Sequence, residues 1–146
     1  HVDASRGMVM QAKENARLSG LEASPIRYLV DDCKKFVERE IRRGNRYDAV
    51  IMDPPSYGRG PSGEVWKLED NIDCFIKLAT EVLSSDPLFF LVNSYTTGLS
   101  PSVIKYIIDT TDKLSGGISE ADELGLPVTE TKLMLPCGSA VRWQND

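Results

Sequence analysis

Residues 47–60 read YDAVIMDPPSYGRG. The apolar, β-branched run that closes on Met52 predicts a strand over Tyr47–Met52. Its apolar end predicts burial on both faces, as in a parallel sheet. Pro54 and Pro55 cannot donate ladder hydrogen bonds, so the strand must stop there. A carboxylate, Asp53, and an aromatic ring, Tyr57, flank this stiff stop. Gly58, Gly60 and Gly63 follow, in a stretch over 54–67 that reads as a loop able to approach a ligand or close. A turn alone would need neither the acid nor the ring.

Working outward, His1 to Asp3 reads as the end of a strand. A helix is predicted from about Ser5 to Ser19, with Met8, Val9, Ala12 and Ala16 on one face and Gly20 at the left-handed closing position. Ile26–Val30 (IRYLV) reads as a short strand. Asp32 is a good N-cap for a helix whose Phe36, Val37, Glu40 and Ile41 follow the 3.6-residue period up to Gly44, Glu40 being a flaw in that face. Downstream, Leu68, Ile72, Phe75, Ile76, Ala79 and Val82 mark the clearest amphipathic helix. Leu88–Val92 (LFFLV) is an apolar strand. Ser100 and Pro101 open another helix with Val103, Ile104, Ile107 and Ile108 inward. Strand-like pieces near Glu123–Leu126 and Met134–Trp143 have no helix between them and should pair antiparallel. The order β-α-β-α-β-α-β-α-β-β predicts an α/β fold: a Rossmann-like, doubly wound, mostly parallel sheet with helices on both faces and an antiparallel C-terminal hairpin.

The 146 residues suit one domain, and 41% hydrophobic with 27% charged residues is an ordinary globular mixture. No apolar run is long enough to span a membrane, and no signal peptide is expected. A net charge of -5 and a pI near 4.9 argue against sequence-independent nucleic-acid binding. The cluster Arg39, Arg42, Arg43 and Arg46 reads either as a local basic patch or as cations at a helix C-terminus. Cys33, Cys74 and Cys137 are odd in number and widely spaced, which disfavours disulfides and zinc and fits a reducing, cytoplasmic setting. With His1 the only histidine, histidine-based catalysis and a metal site are not expected.

In doubly wound sheets ligands bind beyond the carboxyl ends of the strands. Acids occupy three such ends here: Asp3, the pair Asp31 and Asp32, and Asp53. Singly, Asp3 or Ser5 and Asp32 also read as helix caps. Together they suit a nucleoside. A carboxylate at the end of one strand can accept both ribose hydroxyls. One at the next can accept from an adenine amino group, while the Cys33 backbone N–H reaches a ring nitrogen. An acid of this kind also serves in NAD-binding folds, so it leaves the cofactor open.

Asp53-Pro54-Pro55-Ser56-Tyr57 resembles the (N/D)-P-P-(Y/F) signature of class I S-adenosylmethionine-dependent methyltransferases. HVDAS, VDDCKKF, YDAVIMDPPSYGRGPSGEVWKLED and LVNSY together resemble the catalytic domain of the ribosomal RNA large subunit methyltransferase I-like family over nearly the whole chain. That resemblance implies S-adenosyl-L-methionine as cofactor, held by Asp3, Ala4, Ser5, Asp32, Cys33 and Asp53. It also implies reacting groups at Asp53, Pro54, Pro55 and Tyr57, with Tyr57 and Asn93 toward the substrate.

The sequence departs from the family in two places. The family's first strand and its glycine-rich loop would lie upstream of His1, so the chain is expected to be a piece of a longer protein with a gap in its sheet. Members that methylate carbon 5 of cytosine carry a Cys nucleophile where this chain reads Asn93-Ser94-Tyr95. A serine without a base is too weakly acidic to replace a thiolate. The expected activity is therefore direct methyl transfer to an RNA base, with RNA affinity supplied by a missing N-terminal domain. The alternatives are methylation of a protein or small molecule, and a non-catalytic Rossmann-like binding module. A nicotinamide-dependent oxidoreductase has no use for the DPPSY stretch. Nothing in the sequence speaks to homo-oligomer formation.

Overall fold

The computed structural model describes residues 1–59 and 63–145. Gly60, expected in the loop after Tyr57, lies outside the described residues. The chain forms two compact units, His1–Asn45 and Arg46–Asp146.

In the first unit β1 (Val2–Asp3) pairs in parallel with β2 (Leu29–Val30), Val2 opposite Leu29 and Asp3 opposite Val30. β2 is shorter than the predicted Ile26–Val30. Its partner offers only two residues, and the approach is taken up by turns in which Ser24 N–H bonds to the Leu21 carbonyl and Ile26 N–H to the Ser24 carbonyl. Helix α1 (Arg6–Leu18) is capped by Ser5 and followed by Gly20 at φ 72°, as its sequence requires. Val9 is buried, whereas Met8, expected on the same face, is exposed. Helix α2 (Cys33–Arg43) begins at Asp32 and closes on Gly44, also at φ 72°. Glu40 is no flaw in its face: it is 2% exposed and accepts from Arg43 Nη1 at 2.9 Å and Asn45 Nδ2 at 2.7 Å. A buried carboxylate held in this way ties the helix exit to the chain that follows. Arg42 and Arg43 lie in the last turn of α2, where the dipole favours cations.

The second unit is built on β3 (Ala49–Met52), β6 (Phe89–Ser94), β7 (Ile118–Pro127) and β8 (Met134–Gln144), in the order β3-β6-β8-β7. β3 and β6 are parallel, with Met52 opposite Val92; β8 runs antiparallel to both β6 and β7. The sheet is therefore mixed rather than mostly parallel. The closing hairpin is longer than its expected pieces, because the ladder from Ile118 to Pro127 is continuous apart from a bulge at Leu124/Gly125.

Helices α3 (Leu68–Thr80) and α4 (Pro101–Asp109) cover one face of this sheet. Leu68, Ile72, Ile76 and Ala79 of α3, with Ile104, Ile107 and Ile108 of α4, pack on Met52, Phe90, Val92, Val141 and Trp143. Full burial of each large apolar side chain contributes about 1.5–3 kcal/mol. Val103 faces outward, at 46% exposed. Burial of β3 on both faces is not found: Val50 and Met52 share the face that packs on the core, while Ile51, on the opposite face, is 64% exposed.

The expected loop over 54–67 contains a hairpin. β4 (Tyr57–Arg59) pairs antiparallel with β5 (Val65–Lys67), placing Tyr57 opposite Lys67 and Arg59 opposite Val65. Among the described residues no helix is long and apolar enough to cross a membrane.

Candidate functional site

In the first unit the carboxyl ends of β1 and β2 lie side by side, and the ladder carries on as Asp31 N–H bonds to the Asp3 carbonyl at 3.0 Å. Asp3, Ala4 and Ser5 leave β1 here; Asp31, Asp32 and Cys33 leave β2. One Asp3 carboxylate oxygen accepts from Ser5 N–H at 2.6 Å, and Ser5 Oγ accepts from Met8 N–H at 3.4 Å. One Asp32 oxygen accepts from Lys35 N–H at 2.8 Å. Ser5 and Asp32 thus cap their helices, while Asp3 is not itself a cap but accepts from the N–H of the cap residue Ser5; each of the two acids engages a single oxygen. A carboxylate has two oxygens with several lone pairs, so capping and ligand binding are compatible.

The three acids converge electrostatically on Cys33. Burial pushes its thiol pKa up, and the charges of Asp3, Asp32 and Asp31 add to that shift. The thiol stays protonated and donates to the Val2 carbonyl at 3.5 Å. Asp31 is ion-paired to Arg39. That pair was not singled out in the sequence, because Asp31 precedes α2 and helical spacing does not relate it to Arg39.

In the second unit Asp53 follows directly on Met52. Continuing the β3–β6 register by one step sets Asp53 beside Asn93, at the carboxyl ends of neighbouring parallel strands. Asn93 is half-buried and alternates with Val92 and Ser94, which face the helices, so it shares the opposite face with Leu91. Ser94 is 3% exposed and its hydroxyl accepts from Thr96 N–H at 3.3 Å.

The double-proline corner is gripped from three sides. Trp66 Nε1 donates to the Pro55 carbonyl at 2.8 Å, Leu68 N–H to the Ser56 carbonyl at 3.0 Å, and Thr96 Oγ1 to Ser56 Oγ at 2.7 Å. Pro54 is buried, while Asp53 and Pro55 are exposed. Among the described residues no hydrogen bond occupies the Asp53 carboxylate or the Pro54 carbonyl. Tyr57 is 52% exposed, and its hydroxyl accepts from Arg59 Nε at 3.1 Å. Gly138, at φ 152°, lets β8 pass close to the end of β6: a Cβ there would lie 2.7 Å from the Ser94 carbonyl oxygen.

Trp66, Ser56 and Thr96 escaped the sequence reading. The alternation of Tyr57-Gly58-Arg59 and Val65-Trp66-Lys67 was the available signal for the hairpin that carries Trp66. Thr96 had none, since its bond to Ser56 spans forty positions.

No protein-family model matches the chain. Over its full length it superposes on a SAM-dependent methyltransferase from Agrobacterium tumefaciens with a TM-score of 0.87 and 35% identity, covering 48% of that chain. Ribosomal RNA large subunit methyltransferase I of Erwinia tasmaniensis is 36% identical over 56 residues, 38% of this chain and 14% of the relative. Ribosomal RNA large subunit methyltransferase K of Neisseria meningitidis is 24% identical over 94 residues, 64% of this chain and 27% of the relative. The α/β fold, with its antiparallel closing strands, is that of the class I S-adenosylmethionine-dependent methyltransferases. Within that class, the chain is related to the ribosomal RNA large subunit methyltransferases I and K, of which it matches only part.

Proposed function

We propose that this chain is part of the catalytic domain of a methyltransferase that moves the methyl group of S-adenosyl-L-methionine directly onto a base of RNA. The observation that carries the reading is the corner at Asp53 and Pro54. Two strong acceptors stand open at a strand end, while the backbone beyond them is held by Trp66, Leu68 and Thr96. When bound, the cofactor supplies an already activated sulfonium methyl. What remains for the protein is position and alignment.

The Asp53 carboxylate and the Pro54 carbonyl would hold amine hydrogens of the base and direct its lone pair. As the bond to the methyl carbon forms and the sulfonium–methyl bond breaks, S-adenosylhomocysteine would leave and the carboxylate, not the carbonyl, could take the released proton. Tyr57 stacks on the base plane, as ring side chains do for bases taken out of a stack. Asn93, one register step away, offers an amide to the same group. On the cofactor side, Asp3 takes the ribose hydroxyls, Asp32 the adenine amino group and the Cys33 N–H a ring nitrogen, with Ala4 and Ser5 shaping the turn.

A covalent cysteine route finds no support. Cys74 lies on α3 and Cys137 on β8, both exposed, and Cys33 is held as the neutral thiol. The same reading takes the fold of the whole protein as doubly wound and Rossmann-like. RNA affinity would come chiefly from a domain outside this chain, in a cytoplasmic setting.

Calorimetry on the full-length protein tests the cofactor: S-adenosylhomocysteine should give heat and NADH none. Radiolabelled methyl transfer to total RNA, and its loss after ribonuclease treatment, tests the substrate. Label in protein or small molecules instead would replace the RNA reading, and heat with neither ligand would leave a non-catalytic module.

A further inference from the structure

We propose that the outward face of the β4–β5 hairpin is the surface along which the RNA strand lies, with Arg59 and Lys67 taking backbone phosphates beside a base stacked on Tyr57. This rests on the RNA reading above and adds two residues to it. Residues directly opposite in an antiparallel pair share a face, so Tyr57, Lys67, Arg59 and Val65 project together. All four are exposed, whereas the intervening Gly58 and Trp66 are half-buried.

The orientation of the ribbon is fixed from beneath. Trp66 packs edge-on against Phe75 with ring centroids 5.6 Å apart and donates to the Pro55 carbonyl. The hairpin's inner side therefore ties the outward face to the corner that presents Asp53. Arg59 Nε sits against the Tyr57 hydroxyl, which sets a planar guanidinium beside the ring and leaves further donors for a phosphate.

Charge points the same way. In an acidic chain, Arg17, Arg39, Arg43, Lys77, Lys105 and Arg142 are paired with carboxylates. Among the described residues Arg59 and Lys67 have no such pair, and neither have Arg6, Lys13, Arg27, Lys34, Lys35, Arg42, Lys113 and Lys132. What sets Arg59 and Lys67 apart is that both stand on one exposed face beside Tyr57. The nearby acids Glu69 and Asp70 lie in the first turn of α3, where the positive helix end balances them; Glu64 precedes the outward-facing Val65. A ring flanked by two cations is a minimal platform for single-stranded nucleic acid, on which stacking and phosphate binding act together.

The test uses the full-length protein, a fluorescein-labelled 12-nucleotide single-stranded RNA of mixed sequence, and anisotropy at several KCl concentrations. The double variant Arg59→Gln, Lys67→Gln should bind about 25-fold more weakly near 0.1 M salt. Its slope of log affinity against log salt should shrink by about 1.4, at ~0.7 for each phosphate that is no longer neutralised. Its affinity for S-adenosylhomocysteine should not change. The charge-keeping variant Arg59→Lys, Lys67→Arg should restore the slope, which separates missing charge from a disturbed hairpin. An unchanged slope in the first variant, with S-adenosylhomocysteine still bound, overturns this inference and leaves the methyltransferase reading intact. An equal loss of affinity in both variants overturns it as well. No heat from S-adenosylhomocysteine in the unmodified protein removes the underlying reading, and this inference with it.

Discussion

The two units fix carboxylates at strand ends in opposite ways. In His1–Asn45, Asp3 and Asp32 are held by backbone amides within three residues of themselves, so each spends one oxygen on its own helix entry. In Arg46–Asp146, Asp53 engages no partner among the described residues, and its direction is set by a double proline whose neighbours are held by residues up to forty positions away. The first arrangement suits a ligand that only has to be gripped. The second suits a group that meets changing charge, because both its oxygens stay open while its backbone cannot reorganise.

The largest effect that would break this comparison is expected at Asp53. Asp53→Ala should lower methyl transfer by about 100-fold or more, on the scale of losing one preorganised polar group. Folding stability should change by less than about 0.5 kcal/mol, as for an exposed site. A stability loss of similar size to the activity loss, read by parallel denaturant melts and radiolabel transfer, would place Asp53 with the structural acids.

A smaller, sharpening effect is expected at Asp3 and Asp32. Asparagine caps a helix about as well as aspartate, and it keeps the side-chain oxygen that the Ser5 N–H uses at residue 3, so Asp3→Asn and Asp32→Asn should melt near the parent temperature. Each should nonetheless bind S-adenosylhomocysteine about 10-fold more weakly in calorimetry, since a charged acceptor is worth about 1.5–3 kcal/mol against 0.5–1.5 for a neutral one. Unchanged binding would leave these acids as local acceptors for backbone N–H groups alone. The smallest effect is expected at Trp66→Phe, which keeps the ring and removes the bond to the Pro55 carbonyl. It should cost about 1 kcal/mol in melts, with a fall in kcat that exceeds any rise in KM if the corner positions the reacting groups.

Local signals carried most of the fold. Ser5, Asp32 and the Ser100-Pro101 pair start helices through bonds to their own next turn, and Gly20 and Gly44 end them through a conformation that glycine adopts freely. Such features are written within a few residues, and the sequence reading met them. The hairpin at Tyr57–Lys67 escaped because its Gly and Pro content reads as loop, while its pairing and the Trp66 anchor depend on partners further along the chain. The exposure of Ile51 escaped for a related reason: what packs on each face of a strand is not inscribed in the strand. The acids of the candidate site were legible as residues at strand ends. The grip on the double-proline corner was not.

The Trp66 anchor gives the protein a built-in optical gauge. The chain carries two tryptophans: Trp66 is half-buried with its indole N–H on the Pro55 carbonyl, and Trp143 is 3% exposed in the apolar core with its own N–H unpartnered among the described residues. In a Trp143→Phe background, the tryptophan emission of this chain comes from the corner alone and tracks a ligand arriving there. With Trp143 restored, the bluer core signal tracks loss of packing, so one fluorimeter can distinguish occupancy of the corner from melting of the body that supports it.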